Sequence, residues 1–549
     1  MKRSTTFLGR FPGRLVQSFQ RFTFLPFVAA TALLSSSCLE EQKADIVIIN
    51  GAEPGTLDPA IVTVQADARI SHSLFEGLAR LNPVDATPIP ALAEKWEISE
   101  DAKTYTFHLR TNLIWSTGEP ITSKDVVYSW IRVLDPITAS EYAGQLFYVK
   151  NGEEFSSGKI KDPSLVGIKA LDAYTLKVEL VNPTPFFLDL CALTTLAVVP
   201  QKTIEKYGDR WIMANPLPTS GSYTLETWRI HDKIRLRKNP RHWDAQNTRN
   251  NIIDLLPSES AMTAMNLYQA GQADVIWDKN LIPGELMDVL RKQPDCHLYD
   301  YLGTFFMRFN TTKKPFNDPR VRKALALTID KQRIVERITK SGEKPADHFV
   351  PNGMTIYKSP DGYGYDPEQA RKFLAEAGFP GGKGFPTFQY LFKVGETDKQ
   401  IGVELQAMWR DQLGINMELR PAETKVYYTS VTAMDYDVAR SSWIGDYNDP
   451  NTFLDMFLSN GGNNRTGWKN PRYDDLLREG NRQLDVKKRE QILQKAETLL
   501  IHDEMPIAPI YYYAGVLFFR TNEIEGIYYN LLDEHPFQAI GRKQAKGKL

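Results

Sequence analysis

The sequence predicts a large α/β protein with at least two packed lobes. The chain has 549 residues, which exceeds the ~250–300 residues that one hydrophobic core usually serves. Strand-like and helix-like segments are mixed along the whole chain, and this mixing favours α/β lobes over separate all-α and all-β domains. No Pro-, Gly- or Ser-rich linker joins two halves of the sequence. We therefore expect the chain to cross between the lobes more than once.

The predicted strands are short and alternate apolar with polar residues, as in strands with one buried face. The alternating apolar positions are Tyr105, Phe107 and Leu109; Tyr174, Leu176, Val178 and Leu180; and Ile234 and Leu236. Three predicted helices begin where a polar residue precedes proline, because the polar side chain accepts free amides of the first turn and proline loses no hydrogen bond there. These starts are Asp318-Pro319, Asp366-Pro367 and Asn470-Pro471, and the second helix is expected to end at Gly378.

Residues 1–37 are predicted to be a secretory signal peptide of the lipoprotein type. They carry five basic and no acidic residues, and the apolar run from Phe22 to Leu34 is shorter than the ~20 residues of a membrane-spanning helix. Three serines lead to Cys38, which resembles the lipid-attachment cysteine of bacterial lipoproteins, although the pattern prefers leucine three residues before it and Leu34 lies four before. We expect an exported chain anchored by acyl chains at Cys38; the alternative is cleavage nearby that leaves Cys38 free.

The composition excludes several functional classes. The 66 basic and 67 acidic residues leave no positive surplus for binding nucleic acid. Three cysteines and eight histidines argue against a disulfide scaffold and against a cysteine- or histidine-rich metal site. The motifs G-x-S-x-G, H-E-x-x-H and C-x-x-C are missing from the sequence. We therefore expect no enzyme activity, cofactor or metal. Cys191 lies in an apolar segment and is expected to be a buried thiol. A Cys191–Cys296 disulfide is an alternative, because export would permit it.

Eight short segments, in a fixed order along residues 45–540, carry a family resemblance. They are Glu53–Pro59, Ala93–Trp96, Tyr105–Arg110, Trp115–Pro120, Lys124–Trp130, Phe316–Arg322, Trp443–Pro450 and Tyr511–Tyr513. Any one of them is a weak motif, but the ordered set at consistent spacing is specific. Together they resemble the extracytoplasmic solute-binding proteins of peptide-importing ATP-binding-cassette (ABC) transporters, in family 5 and of the oligopeptide-binding type.

The resemblance implies a two-lobed, hinged periplasmic-binding-protein fold with a third domain inserted in lobe I. Carried onto this chain, lobe I combines residues 45–75, 200–300 and 514–549. The inserted domain spans residues 76–199, and lobe II spans residues 301–513. Ligand binding would close the lobes over the cleft between them.

A receptor for peptides of any sequence would bind the two charged ends and the main chain. By resemblance, Asp446 binds the peptide amine and Tyr142 places a hydroxyl beside it; the alternative for Asp446 is a surface or turn-capping aspartate. Arg440 would bind the peptide carboxylate through its guanidinium fork, and its alternative is a structural ion pair. The expected backbone contacts are Thr63, Val64, Gln65, Ser442 and Ile444, and the expected cleft aromatics are Trp443 and Tyr513. For the two aromatics, burial in a core is the alternative.

Three positions depart from the family pattern. Asp398 stands where some members carry a histidine that meets the carboxylate of a longer peptide, so it would repel that group and favour basic side chains or another ligand length. Thr424 stands where members can have a tryptophan, which implies a wider pocket. Ile444 replaces a cysteine of some relatives, which removes a disulfide. These departures leave the preferred peptide length open.

The resemblance implies a monomeric receptor that captures short peptides by hinge closure and delivers them to the membrane permease subunits of an ABC importer. An alternative is a receptor for a non-standard ligand, such as a metal chelate, an opine-like compound or a cell-wall peptide. A ligand without a free amine would give Asp446 no partner. An exported peptidase and an envelope chaperone are further alternatives. We expect the protein in the periplasm or on the outer face of the cell membrane.

Overall fold

The computed structural model describes residues 41–278, 281–354 and 356–543. The expected signal peptide, residues 1–37, and the expected lipid-attachment residue Cys38 lie outside these ranges. None of the helices within them has the length and apolar composition needed to cross a bilayer.

Residues 46–309 contain mainly short strands, with helices between them. In chain order the elements up to residue 190 are β1 (Ile46–Gly51), α1 (Gln65–Leu74), β2 (Ala79–Leu81), β3 (Pro88–Pro90), β4 (Ala93–Ile98), β5 (Thr104–Leu109), α2 (Ser123–Leu134), α3 (Gly152–Ser156), β6 (Ile168–Ala170), β7 (Thr175–Glu179) and α4 (Phe187–Leu190). They are followed by α5 (Gln201–Tyr207), β8 (Tyr223–Arg229), β9 (Lys233–Lys238), β10 (Ile252–Pro257), α6 (Ala261–Gln269), β11 (Val275–Ile276), α7 (Met287–Leu290) and β12 (Cys296–Phe309).

The rest of the chain has longer helices alternating with strands. The elements are α8 (Pro319–Leu327), α9 (Lys331–Ile334), β13 (Lys344–Pro345), α10 (Pro367–Glu376), β14 (Phe388–Lys393), α11 (Glu396–Leu413), β15 (Met417–Ala422), α12 (Thr424–Thr432), β16 (Val438–Ile444), α13 (Asn451–Leu454), α14 (Pro471–Arg482), α15 (Val486–Thr498), β17 (Ile507–Phe519), β18 (Ile524–Glu525) and β19 (Gly541–Arg542). Strands and helices are therefore mixed throughout, as the sequence predicts.

Two long antiparallel strands, β12 and β17, connect the two halves of one mixed sheet. The strand order is β15-β14-β16-β12-β17-β11-β1-β10-β9-β8, and β13 pairs with β17. The first part of β12 pairs with the end of β17, and the later part of β12 pairs with the beginning of β17 and with β16. The ladder is interrupted between Asp300 and Thr304 on β12 and between Tyr512 and Ala514 on β17. The chain thus passes from one half of the sheet to the other along both strands, close to an irregularity in their pairing.

A smaller sheet and three large apolar cores complete the architecture. Strands β4, β5, β7 and β6 form an antiparallel sheet within residues 93–179. Trp130 is fully buried in the core beside this sheet, Trp211 in the core around β1 and β10, and Trp409 in the core between α11 and the β14–β16 end of the main sheet. The first of these cores continues into Tyr447 and Phe453, just beyond β16. This continuity brings the residue 93–198 region against the chain that follows β16.

The predicted helix starts are confirmed. Asp318 accepts a hydrogen bond from the Arg320 amide, and Asp366 accepts one from the Gln369 amide, both at 2.9 Å. Asn470 accepts hydrogen bonds from the first-turn amides of α14. Helix α10 ends at Glu376, and Gly378 follows with a φ of +96°, a conformation that glycine adopts without strain.

The two cysteines in the described ranges are free thiols. Cys191 is fully buried, as predicted, and burial raises its pKa well above the usual value. Cys296 is half-buried at the start of β12, and burial raises its pKa to about 11. The disulfide alternative for this pair is therefore wrong. Among the described residues, no group of three or more His, Cys, Asp or Glu side chains could hold a metal ion.

Candidate functional site

The end of β16 presents an open sheet edge. Gly445 donates its backbone N–H to the Leu302 carbonyl of β12 at 2.8 Å, and Gly303 is paired with Ile444. In an antiparallel ladder, hydrogen-bonded and non-hydrogen-bonded pairs alternate. The backbone groups of Ser441 and Trp443 therefore point toward β12, and those of Ser442 and Ile444 point away from it.

The opposite edge of β16 is covered only at its beginning. Strand β14 runs parallel to β16 and pairs with it at Val438 and Ala439. Beyond these positions, no strand in the described ranges pairs with that edge of β16. The N–H and C=O groups of Ser442 and Ile444 are thus placed where an extended ligand chain could pair with them. Both residues are among the backbone contacts expected from the sequence.

Asp446 lies two residues past the end of β16 and faces the residue 142–148 region. Its carboxylate accepts a hydrogen bond from the Tyr142 hydroxyl at 3.2 Å, and its backbone N–H donates to the Thr452 hydroxyl at 3.0 Å. The structure therefore brings the two predicted amine-binding residues together. No ion pair to Asp446 occurs within the described part of the chain. Burial raises the pKa of its carboxyl group to about 7, and the Asp446 charge in turn raises the pKa of Tyr142.

A second carboxylate, Asp455, lies near Asp446 and was not expected from the sequence. Asp455 accepts hydrogen bonds from the Tyr148 hydroxyl and from the side-chain amide of Asn451, both at 3.3 Å. Burial, followed by the neighbouring Asp446 charge, raises the pKa of Asp455 to about 7. The family resemblance of Trp443–Pro450 marks Asp446 in the sequence, but nothing local indicates that Asp455 turns toward the same place.

Side chains from residues 142–186 cover this acidic end. Tyr142 and Tyr148 reach Asp446 and Asp455, as described above. The ring of Phe186 stacks on that of Tyr447, with centroids 4.9 Å apart and an interplanar angle of 12°. The two hydrogen bonds join residues 304 and 307 positions apart in the chain, so a change in the separation of these segments would uncover Asp446.

Arg440 has a protein carboxylate as its partner. Its Nε lies 3.1 Å from an Asp398 oxygen, and its Nη1 donates to the Ser442 hydroxyl at 3.2 Å. Its guanidinium also lies 4.9 Å from the centroid of the Phe305 ring. The structural ion pair, which was the alternative for Arg440, is therefore present. Asp398, in the first turn of α11, faces an arginine of its own chain.

Lys393 lies close to this ion pair, and it was not identified as a site residue from the sequence. It is the last residue of β14, and its ammonium nitrogen lies 5.7 Å from the centroid of the Tyr428 ring. Burial and then the Arg440 charge lower the pKa of Lys393, whereas the Asp398 charge raises it. A lysine at a strand end is common on protein surfaces, so the sequence carries no signal for this position.

Thr63, Val64 and Gln65 are exposed at the beginning of α1. The Gln65 side chain accepts a hydrogen bond from the Tyr301 hydroxyl at 2.8 Å. The next residue of β12, Leu302, accepts from the backbone of Gly445. Gln65 is therefore connected to the Asp446 end of β16 through β12.

The remaining predicted site residues occupy different environments. Trp443 and Tyr513 are half-buried, and the indole N–H of Trp443 has no hydrogen-bond partner among the described residues. Thr424 is exposed at the start of α12. Gly303 keeps Ile444 and Tyr513 close, because a Cβ there would lie 2.5 Å from Ile444 Cδ1 and 2.9 Å from Tyr513 Cδ2. Such a close approach requires glycine at this position.

Comparison with known proteins gives one consistent result. The model of the bacterial extracellular solute-binding proteins, family 5 (middle), matches residues 87–465. The periplasmic oligopeptide-binding protein OppA of Salmonella typhimurium is 36% identical over 484 residues, which cover 86% of this chain and 88% of that protein.

Two solved structures extend the likeness to three dimensions. The periplasmic oligopeptide-binding protein OppAIV of Borrelia burgdorferi has a TM-score of 0.83 at 32% identity, over 91% of this chain and all of that chain. Haemophilus influenzae OppA, in complex with RPPGFSPFR, has a TM-score of 0.80 at 32% identity, over 90% of this chain and 98% of that chain. The predicted two-lobed α/β binding-protein fold is confirmed.

Proposed function

Because this chain belongs to the bacterial extracellular solute-binding proteins of family 5, we propose that it captures short peptides between its lobes and delivers them to the permease of an ABC importer. The observation that carries the proposal is the open edge of β16 with Asp446 at its end. An extended peptide can add to such an edge through main-chain hydrogen bonds, which do not depend on the peptide's sequence. A free amine at the end of the peptide supplies the cation that Asp446 lacks.

The two ends of the peptide and its main chain would be bound by different groups. Asp446 and Tyr142 bind the amine, because an ammonium group beside an enclosed carboxylate forms a charge-assisted hydrogen bond. Ser442 and Ile444 bind the main chain through their own backbone, and Thr63–Gln65 do so from the facing segment. Arg440 contributes positive charge at the carboxylate end of the peptide, where Asp398 offsets part of that charge.

The lobes would separate along the two long strands. We assign lobe I to residues 45–75, 200–300 and 514–549, the inserted domain to residues 76–199, and lobe II to residues 301–513. The interrupted pairing of β12 and β17 near residues 300–304 and 512–514 supports these boundaries. A few residues with irregular pairing can absorb the backbone rotation of a hinge more easily than a continuous ladder can.

The protein would work outside the cytoplasm as a monomeric binding protein without catalytic activity. A signal peptide over residues 1–37 and lipid attachment at Cys38 would hold it at a membrane surface, beside its permease partner. The relatives named above are binding proteins of the periplasm by their titles. A globomycin-treated culture, in which processing of lipoprotein precursors is blocked, would accumulate the uncleaved chain if Cys38 is the attachment site.

Native mass spectrometry of the full chain, purified from a peptide-rich host without added ligand, tests the function. We expect the wild type to carry a ladder of extra masses that match peptides, and Asp446→Asn to lose them. A wild type that carries one non-peptide mass, retained by the variant, would contradict the proposal and favour a specialised ligand. Release of hydrolysed fragments on incubation would indicate a peptidase.

A further inference from the structure

The charged cluster at the end of β14 has an unbalanced positive charge. It contains two cations, Lys393 and Arg440, and one anion, Asp398. Arg440 is already bonded to Asp398 and to the Ser442 hydroxyl. The Lys393 ammonium, in the part of the chain that is described, receives no ion pair and makes no hydrogen bond; its contact is with the face of Tyr428. The cluster can therefore accept one further anion.

The position of Lys393 relative to the open edge indicates where that anion would come from. Because Leu391 of β14 is paired with Ala439 of β16, Lys393 is level with Ser441 in the parallel register. Strand β14 ends there, and the uncovered edge of β16 begins. A ligand chain paired with Ser442 and Ile444 would continue the line of β14, with one end at Lys393 and the other at Asp446.

The two ends of this edge have opposite charges. From Ser441 to Asp446 the edge spans about 17 Å at ~3.3 Å per residue, the range that an extended peptide of four or five residues covers. A peptide with its amine at Asp446 runs antiparallel to β16. Its terminal carboxylate then lies at the Lys393 end.

We propose that Lys393 binds the terminal carboxylate of the bound peptide, and that Arg440, held by Asp398, is a positioning residue that fixes the strand edge beside it. This assignment rests on the proposed function. Arg440 would be poorly available to a ligand carboxylate, because its Nε and one Nη already have partners and because Asp398 repels a second carboxylate. Lys393 has a flexible stem and three donors, so it can follow the ends of peptides that differ by one residue.

Isothermal titration calorimetry with tetra-alanine and with tetra-alanine amide tests the assignment. The two probes differ only in the charge of the C-terminal group. We expect the full-length wild type to prefer the free acid by about tenfold or more, which corresponds to ~1.4 kcal/mol. Lys393→Met should reduce this preference to less than threefold by weakening free-acid binding, while binding of the amide stays within twofold. Lys399→Met is the matched control, because Lys399 is exposed on α11 nearby, and it should behave as the wild type.

Asp398→Asn should change the preference for the free acid in the opposite direction to Lys393→Met. It releases the Arg440 guanidinium from its carboxylate, so the preference for the free acid should rise above that of the wild type. An Asp398 that serves the fold alone would change thermal stability and leave the ratio of the two affinities unchanged, which would overturn the role given to the ion pair.

The failures of this assignment and of the proposed function are distinguishable. A folded Lys393→Met variant that keeps the wild-type preference overturns the assignment and leaves peptide binding intact. A wild type that binds the acid and the amide equally overturns it as well. If the wild type binds neither probe and carries no co-purified peptides, both the proposed function and the assignment are overturned.

Discussion

Asp446→Asn should make the unliganded protein more stable at alkaline pH and, at the same time, a much weaker receptor. The change is nearly isosteric, and the asparagine oxygen can still accept a hydrogen bond from the Tyr142 hydroxyl. The wild-type carboxyl group has a pKa of about 7 in the folded chain, against an ordinary value of 3.8, because it is enclosed without a cation. Asparagine removes the charge that is unfavourable there.

The sign of the pH dependence follows from the raised pKa. Between pH ~4 and ~7, the folded state keeps the proton that the unfolded state has released, so stability is lost as pH rises through this window. A shift of about three units sets an upper limit on the order of 4 kcal/mol. Partial exposure of the side chain screens the charge, so we expect about 2 kcal/mol at pH 8. At pH 4 the Asp446 carboxyl group is protonated in the folded state, so the variant should be no more stable than the wild type.

The assays are differential scanning calorimetry of ligand-free protein at pH 4 and pH 8, and titration with tetra-alanine at pH 8. For a chain of this length, 2 kcal/mol corresponds to a rise in Tm of about 2 °C. Loss of the amine partner should weaken peptide binding by about 2–5 kcal/mol, or roughly 30-fold or more. An Asn variant that is less stable at pH 8, or that binds tetra-alanine as well as the wild type, would refute the reasoning.

Four further changes test neighbouring parts of the site. Tyr142→Phe removes the hydroxyl donor to Asp446 and should weaken tetra-alanine binding by about tenfold in calorimetry; an unchanged affinity would argue against the contact. Asp455→Asn should raise Tm at pH 8 and not at pH 4, for the reason given for Asp446. Arg440→Met removes the ion-pair partner of the largely buried Asp398 carboxylate, so the urea midpoint should fall as for a loss of about 3 kcal/mol. Adding Asp398→Asn should restore much of this loss; no recovery would exclude the unpaired carboxylate as its cause. Gly303→Ala should push Ile444 and Tyr513 apart and weaken peptide binding, whereas the uncrowded control Gly144→Ala should not.

Local features of the fold could be predicted from the sequence because their causes are local. The side chains of Asp318, Asp366 and Asn470 cap helices within their own first turn. Alternation of apolar residues in β5 and β7 reflects one buried face of the same strands. The family segments, in turn, indicated the two-lobed fold as a whole.

The charge balance of the site could not be predicted in this way. Whether Arg440 is free depends on Asp398, which is 42 residues away in the sequence and belongs to another element. Whether Lys393 reaches a ligand depends on where β14 stops beside β16. Asp455 comes near Asp446 only because α13 folds back after β16. These relations arise from packing between elements, and no pattern of neighbouring residues records them.

The most direct test of peptide capture compares tetra-alanine with N-acetyl-tetra-alanine on the wild type and on Asp446→Asn. If the enclosed carboxylate binds the peptide amine, acetylation should weaken binding to the wild type by roughly 30-fold or more and should change binding to the variant by less than threefold. Equal binding of the two peptides by the wild type would contradict the account, because the acidic end of the β16 edge would then have no part in recognising a peptide.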